Sequence, residues 1–222
     1  LYEDTDLAYL DTHYYGGNKK YQWVALPLAL HGVIVRKTGE KVIINIGEDE
    51  NDPVFCISDL LVHLAQEQMT KNAKEVVEGE ALNLIVGGRP LEGEEKDAVK
   101  ANVLKLLADK YGVEEEDFLS AELEIVPAGK ARDMGFDRSM ILGYGHDDRV
   151  CAYPSMRAAL DFEGTPEYTS CCILTDKEEI GSDGVTGMGS HYLENLVAEL
   201  CARVGEYSDL TLRRAIANSR ML

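Results

Sequence analysis

The sequence predicts an α/β protein with a central, mostly parallel sheet that carries helices on both faces, joined to a β-rich first part. Three observations support this fold class. Strand patterns alternate with helix patterns in the second half, which is typical of βαβ units. The first half contains closely spaced strand patterns as well as helical ones. The chain has 222 residues, of which 45% are hydrophobic, and this is enough for one core or two small ones.

In the first half, a β-hairpin is predicted where two segments rich in Val, Ile, Leu and aromatic residues, 23–35 and 41–46, flank the turn sequence 37–40. Ser58 can cap a helix over 58–69, in which Leu60, Leu61, Leu64 and Ala65 share one stripe. Further strand patterns lie at 53–57, 81–87 and 121–126, and a helix pattern at 94–111 ends before Gly112.

The second half predicts strands at 138–142 and 169–175 and helices at 150–160, 187–204 and 210–218. Apolar residues of the helix over 187–204 recur at i, i+3, i+4, i+7, i+8 and i+11 from Leu193. A domain boundary is predicted near 127–137, where glycines flank a charged connector. We therefore divide the chain into residues 1–130 and residues 131–222.

Composition excludes two classes of partner. The 40 acidic residues exceed the 22 basic ones, and the formal net charge of -18 opposes binding to a polyanion such as nucleic acid. The longest apolar runs fall far short of the ~20 residues that span a bilayer, so no membrane segment is expected.

The five cysteines, an odd number without CxxC spacing, favour a reducing compartment, and we expect a cytoplasmic protein. Cys171 and Cys172 are adjacent in the predicted strand over 169–175. Adjacent side chains in a strand point to opposite faces, and small apolar thiols are usually buried. We therefore predict that both are buried.

Two acidic clusters each follow a predicted strand, which is where open α/β sheets bind their ligands. The first is His146-Asp147-Asp148-Arg149, and the second is the segment 176–182, which contains Glu178 and Glu179. Carboxylates at the ends of adjacent strands would lie close together. Like charges at short distance repel one another unless a proton or a cation lies between them. A site for two divalent ions would explain both clusters, with zinc, cobalt or manganese suited to carboxylate and histidine ligands. A pair of solvated loops in an acidic protein is an equally open interpretation.

The order and spacing of these motifs resemble those of the two-zinc aminopeptidases, in particular the aspartyl aminopeptidase and vacuolar aminopeptidase I family with its bacterial aminopeptidase 1 branch. Asp147-Asp148-Arg149 is followed about thirty residues later by the segment 176–182. Supporting matches, in order along the chain, are Tyr14-Tyr15-Gly16-Gly17 with Trp23 downstream, the segment 57–64, and the segment 217–222.

The resemblance implies roles for individual residues. Asp147 resembles the carboxylate that bridges two metal ions, Glu179 a terminal ligand of one ion, and Glu178 the general base. Asp148 is expected to form a cis peptide bond with Asp147. His63 resembles a histidine that is presented to the active site of a neighbouring subunit, although a structural or interface histidine is an equally open interpretation.

The resemblance also implies ligands that this sequence lacks: a histidine before Leu1, an aspartate after Leu222 and a later histidine. We therefore expect the chain to lack both ends of a typical family member. His146, Asp183 and His191 are the nearby candidates to substitute for them.

The family resemblance implies a hydrolase that removes the N-terminal residue of peptides, with a metal-bridging water as nucleophile, Glu178 as general base and two divalent ions as cofactors. It implies a zinc-aminopeptidase-like fold in which residues 1–130 form an inserted dimerisation domain and residues 131–222 belong to the catalytic domain. It also implies a homodimer that assembles into a dodecamer. Two alternatives stay open: a metal-dependent amidohydrolase acting on acylated amino acids, and an inactive assembly or binding module.

Overall fold

The computed structural model describes residues 1–182, 184, 186–205 and 207–221. The strands in chain order are β1 (Tyr2–Asp4), β2 (Leu7–Leu10), β3 (Leu28–Val35), β4 (Lys41–Ile46), β5 (Leu84–Gly87), β6 (Glu122–Pro127), β7 (Arg132–Met134) and β8 (Met140–Leu142). The helices are α1 (Ala98–Tyr111), α2 (His146–Leu160), α3 (Tyr192–Val204) and α4 (Asp209–Asn218).

The chain forms two compact units. The first unit consists of Leu1–Tyr14 and Asn18–Asp147, and the second of Tyr15–Gly17 and Asp148–Leu222. The assignment of residues 1–130 to an inserted domain and of 131–222 to a catalytic domain stays a prediction.

Strand β3 is the central strand of the first sheet, whose order is β4-β3-β6. It pairs antiparallel with β4, from Leu30 opposite Ile46 to Val35 opposite Lys41, so the predicted hairpin is confirmed. Its other edge pairs antiparallel with β6. Leu28, Leu30 and Ile34 point into the main hydrophobic core of the unit.

Gly32 is required where β6 approaches β3. Its φ is 144°, a value that residues with side chains rarely adopt. A Cβ at this position would also overlap the backbone carbonyl oxygen of Glu122. The absence of a side chain at residue 32 therefore allows both edges of β3 to be paired.

A second sheet with the order β1-β2-β5 is covered by α1. Val99 and Val103 of the helix pack against Ala8 of β2 in a small core of their own. The helix begins at Ala98, four residues later than predicted, and ends at Gly112 as predicted. Gly112 has a φ of 61°, and its N–H bonds to the carbonyl oxygen of Ala108.

Residues 53–57, predicted as a strand, connect the two sheets through single bridges instead. Phe55 pairs with Leu28 of β3, and Cys56 pairs with Ile85 of β5. Because these bridges go to different strands, the segment forms no continuous ladder. Its residue Ile57 is buried in the main core, which also contains Leu28 of β3 and Leu84 of β5.

The helix predicted over 58–69 is wrong. The segment consists of turns and a 3₁₀ turn at Gln68–Thr70, and its apolar residues Leu60, Leu61 and Leu64 are exposed. Only Ala65 of the predicted stripe is buried. An apolar stripe stabilises a helix chiefly by packing against other elements, and this stripe has no such surface in the described residues.

The central parallel sheet is not formed in the part of the chain that the structure describes. Every pair of named strands is antiparallel, including the two-stranded ladder β7-β8 of the first unit. The predicted strand over 169–175 is wrong, and Cys171 and Cys172 are exposed rather than buried. A strand needs a neighbour to satisfy its backbone N–H and C=O groups, and the described residues of the second unit supply none.

The second unit contains helices α3 and α4 and all of α2 except its first two residues, and the three helices overlap predicted helices. Helix α3 begins at Tyr192, five residues later than predicted, and contacts α4. The Ser208 hydroxyl oxygen caps α4 by accepting a hydrogen bond of 3.1 Å from the N–H of Thr211. Among the described residues, no helix has the length and apolar character needed to cross a membrane.

Two adjacent residues of β4, Ile43 and Ile44, allow a test of which face of this strand packs against the core. Ile44 is 2% exposed and Ile43 is 71% exposed. We expect Ile44→Ala to lower the free energy of unfolding by about 2–5 kcal/mol, because it removes buried methyl groups and leaves a cavity.

The matched control Ile43→Ala should change the same quantity by less than about 0.5 kcal/mol, because the side chain is already in solvent. Urea denaturation of both variants measures the difference. Equal losses in the two variants would show that this strand does not face the core as described.

Candidate active site

The first acidic cluster lies at the start of α2. Strand β8 ends at Leu142, and Asp147 and Asp148 are the second and third residues of the helix that follows. Both side chains are exposed. Carboxylates at this position interact favourably with the positive end of the helix dipole, which provides a structural reason for them beside any catalytic one. The predicted cis bond between the two aspartates stays a prediction.

The approach to this cluster is held by two polar contacts in the first unit. In the β7-β8 turn, Ser139 donates its backbone N–H and its hydroxyl to Asp137, and these hydrogen bonds lower the pKa of the Asp137 carboxyl. The hydroxyl of Tyr144, between β8 and α2, donates to Glu48 Oε1 at 3.1 Å. The Tyr144–Glu48 bond therefore attaches the chain that leads to Asp147 to the body of its unit, while the bonds to Asp137 order the turn before it.

The second acidic cluster lies on a tight turn in the second unit. Glu178 and Glu179 begin a 3₁₀ turn, Glu178–Ile180, between two residues in left-handed conformation, Lys177 with a φ of 64° and Gly181 with a φ of 86°. The N–H of Gly181 donates to the carbonyl oxygen of Glu178 at 2.9 Å. The N–H of Ser182 donates to the carbonyl oxygen of Lys177 at 3.0 Å. Both carboxylates are exposed. The turn, not a preceding strand, positions them.

Residues upstream of the turn contact its second carboxylate. The segment Tyr15–Gly17 belongs to the second unit. A Cβ on Gly17 would lie 2.5 Å from Glu179 Oε2. The sequence alone does not predict that Gly17 lies beside Glu179, although Gly16-Gly17 is part of the motif that supports the family resemblance.

His63 lies in a turn of the first unit and is exposed. Its neighbours Leu61, Val62 and Leu64 are exposed as well. A histidine on an exposed apolar segment fits a role at a surface between molecules better than a role in the core of its own unit. Its presentation to a neighbouring subunit stays a prediction.

Two of the three candidates for substitute ligands lie among the described residues, where neither belongs to a group of three or more possible metal ligands. His146 begins α2 and is exposed, and His191 Nδ1 lies 3.0 Å from Glu194 Oε2, also exposed. Asp183 lies outside the described residues.

The described residues do not fit a zinc ion by themselves. Among them, no group of three or more His, Cys, Asp or Glu side chains could hold a metal. Asp147 belongs to the first unit, whereas Glu178 and Glu179 belong to the second. A zinc site that includes any of these carboxylates therefore needs ligands in addition to those that the described residues group together.

Comparison with known proteins gives a consistent result. The family model described as aminopeptidase I zinc metalloprotease (M18) matches residues 2–222. A probable M18 family aminopeptidase 1 of Clostridium acetobutylicum is 61% identical, over 100% of this chain and 48% of that protein. An aspartyl aminopeptidase of Caenorhabditis elegans is 25% identical, over 85% of this chain and 44% of that protein.

Solved structures agree with this result. The crystal structure of the M18 family aminopeptidase from Thermotoga maritima is 47% identical and superposes with a TM-score of 0.84, over 95% of this chain and 46% of that one. Aminopeptidase I from Clostridium acetobutylicum is 60% identical with a TM-score of 0.79, over 91% of this chain and 44% of that one. The mixed α/β fold class is thereby confirmed. The chain spans about half the length of the curated relatives it matches.

The left-handed conformation of Gly181 gives a test of the turn that carries the carboxylates. In Gly181→Ala an added Cβ would meet no atom within 4 Å, so the cost comes from φ alone, about 1–2 kcal/mol. We expect the amide protons of Gly181 and Ser182 to exchange with solvent about 5–30 times faster, as measured by NMR hydrogen exchange.

Gly205→Ala is the matched control. Its backbone is extended, with a φ of -175°, and an added Cβ would also meet no atom within 4 Å. The exchange rates at Gly181 and Ser182 should not change in this variant. Unchanged rates in Gly181→Ala would contradict the described turn.

Proposed function

Since this chain belongs to the aminopeptidase I zinc metalloprotease family, we propose that the protein to which its residues belong hydrolyses the N-terminal residue from peptides. The observation that carries the proposal is the family match over residues 2–222, which includes both acidic clusters. The identity of 61% to a probable aminopeptidase supports the same activity.

In the proposed reaction Glu178 is the general base. Its carboxylate accepts a proton from the water that attacks the scissile carbonyl and then returns the proton to the leaving amine. Two features support this role. The side chain is exposed and can reach a substrate, and hydrogen bonds from Gly181 and Ser182 hold the turn that carries it.

Asp147 and Glu179 are proposed as residues that would hold two divalent ions, Asp147 as a ligand shared by both ions and Glu179 as a ligand of one. Zinc is the metal that the family description names, and cobalt and manganese accept the same carboxylate and nitrogen ligands. Neither residue completes a metal site within the described residues. The bridging water proposed as nucleophile therefore depends on ligands beyond these two.

His63 is proposed to contact substrate in the active site of a second copy, in a homodimer that assembles further into a dodecamer. The support is its position on a segment whose apolar side chains, Leu61, Val62 and Leu64, are exposed. Burying these residues against another copy would remove apolar surface from water. We propose a cytoplasmic location, which agrees with cysteines that form no disulfide in the described residues.

The alternative of an inactive assembly or binding module has no support from the similar proteins, which are named as aminopeptidases. The amidohydrolase alternative has no support from these proteins either.

Replacing the proposed base tests the mechanism. We expect Glu178→Gln to lower kcat on an aminoacyl anilide by about 10²–10⁴-fold, because the amide cannot accept the proton. The circular dichroism spectrum should not change, since the side chain is exposed.

Glu199→Gln is the matched control, because Glu199 is an exposed glutamate on α3 of the same unit. Its kcat should equal that of the unmodified protein. Near-full activity in Glu178→Gln would assign the base to another residue.

Metal removal tests the cofactor and the substrate class together. Dialysis against a chelator should abolish release of the aniline from an aminoacyl anilide, and added zinc should restore it. Acylated amino acids should not be cleaved at a comparable rate. Cleavage of only the acylated compounds would favour the amidohydrolase, and activity that survives complete metal removal would contradict the metalloenzyme proposal.

A further inference from the structure

Gly16 and Gly17 are adjacent, but the structural reason for the lack of a side chain differs between the two positions. Gly16 has a φ of 92°, a conformation that residues with side chains rarely adopt. The φ of Gly17 lies outside this left-handed region, so its backbone conformation would allow a side chain. The lack of a side chain at residue 17 therefore needs another explanation.

That explanation is the carboxylate of Glu179. A Cβ built on Gly17 would lie 2.5 Å from Glu179 Oε2 and 3.7 Å from Glu179 Cδ. A distance of 2.5 Å is too short for a contact between a carbon and an oxygen, so one of the two groups would have to move. Both residues belong to the second unit.

We propose that Gly17 is a positioning residue for Glu179, because its lack of a side chain provides the space in which the Glu179 carboxylate sits. The backbone at Gly17 then forms one wall beside this carboxylate. An exposed glutamate side chain otherwise samples many rotamers, and a wall on one side reduces their number. The inference rests on the proposed function, in which Glu179 is a functional carboxylate.

The geometry also predicts which group moves when the space is filled. Oε2 is the far end of a flexible side chain, whereas residue 17 is part of the main chain. In Gly17→Ala the methyl group should displace the carboxylate and leave the backbone in place. The fold should therefore survive while the position of the Glu179 carboxylate changes.

A double-mutant cycle tests the inference through activity. Gly17→Ala should lower kcat on an aminoacyl anilide by about 10–100-fold, since misplacing a reacting or positioning group by about 1 Å can cost that much. Glu179→Asp shortens the side chain by one methylene group and should lower kcat by itself.

Combined with Glu179→Asp, the alanine should cause little further loss, because the shorter side chain no longer reaches it. If the losses of the two single variants multiply in the double variant, the inference is overturned. Gly205→Ala, an alanine in extended backbone with open space around it, is the control and should leave kcat unchanged.

NMR of the carboxyl carbons, with labelled glutamate, tests the contact without activity. The Glu179 signal is assigned by its loss in Glu179→Gln. It should shift in Gly17→Ala and stay in place in Gly205→Ala at the same pH. An unchanged Glu179 signal in Gly17→Ala overturns the inference. If the unmodified protein cleaves no aminoacyl anilide, the proposed function fails, and this carboxyl signal still decides whether Gly17 positions Glu179.

Discussion

The first unit depends on the pairing of β3 along both of its edges. Antiparallel ladders with β4 and β6 satisfy the backbone groups of this strand, so Leu28, Leu30 and Ile34 can be buried without loss of hydrogen bonds. Gly32 makes the second ladder possible, because a side chain there would collide with Glu122. The core of the unit is built from the apolar residues that this arrangement turns inward, together with those of β4 and β5.

The second unit lacks such a strand in its described residues, and this changes how its functional groups are held. The apolar residues Ile173 and Leu174 are exposed, and no ladder places the segment 176–182 at the end of a sheet. Glu178 and Glu179 are positioned instead by a turn between Lys177 and Gly181, whose left-handed conformations reverse the chain within a few residues. Local backbone geometry and the neighbouring Gly17 therefore determine where these carboxylates can lie.

The proposed chemistry combines a proton acceptor with metal ligands that repel one another in the absence of a cation. Glu178 and Glu179 are adjacent in sequence but have different proposed roles, and this division depends on small differences in position. The family match covers the chain almost from end to end, while the chain spans about half of its relatives.

Features encoded within a few residues were determined by the sequence itself. These include the hairpin of β3 and β4, the end of α1 at Gly112, helices α3 and α4, and the order of acidic motifs that identified the family. Tertiary structure alone decided which apolar segments are buried. Residues 58–69 and 169–175 have the patterns of a helix and a strand, yet both segments are irregular, and their apolar residues other than Ala65 are exposed. Caps and tight turns are satisfied by nearby atoms, whereas an apolar stripe or a strand edge needs a distant partner, and the presence of that partner is not encoded in the segment. The contact of Gly17 with Glu179 joins residues far apart in the chain, and for the same reason only the folded structure reveals it.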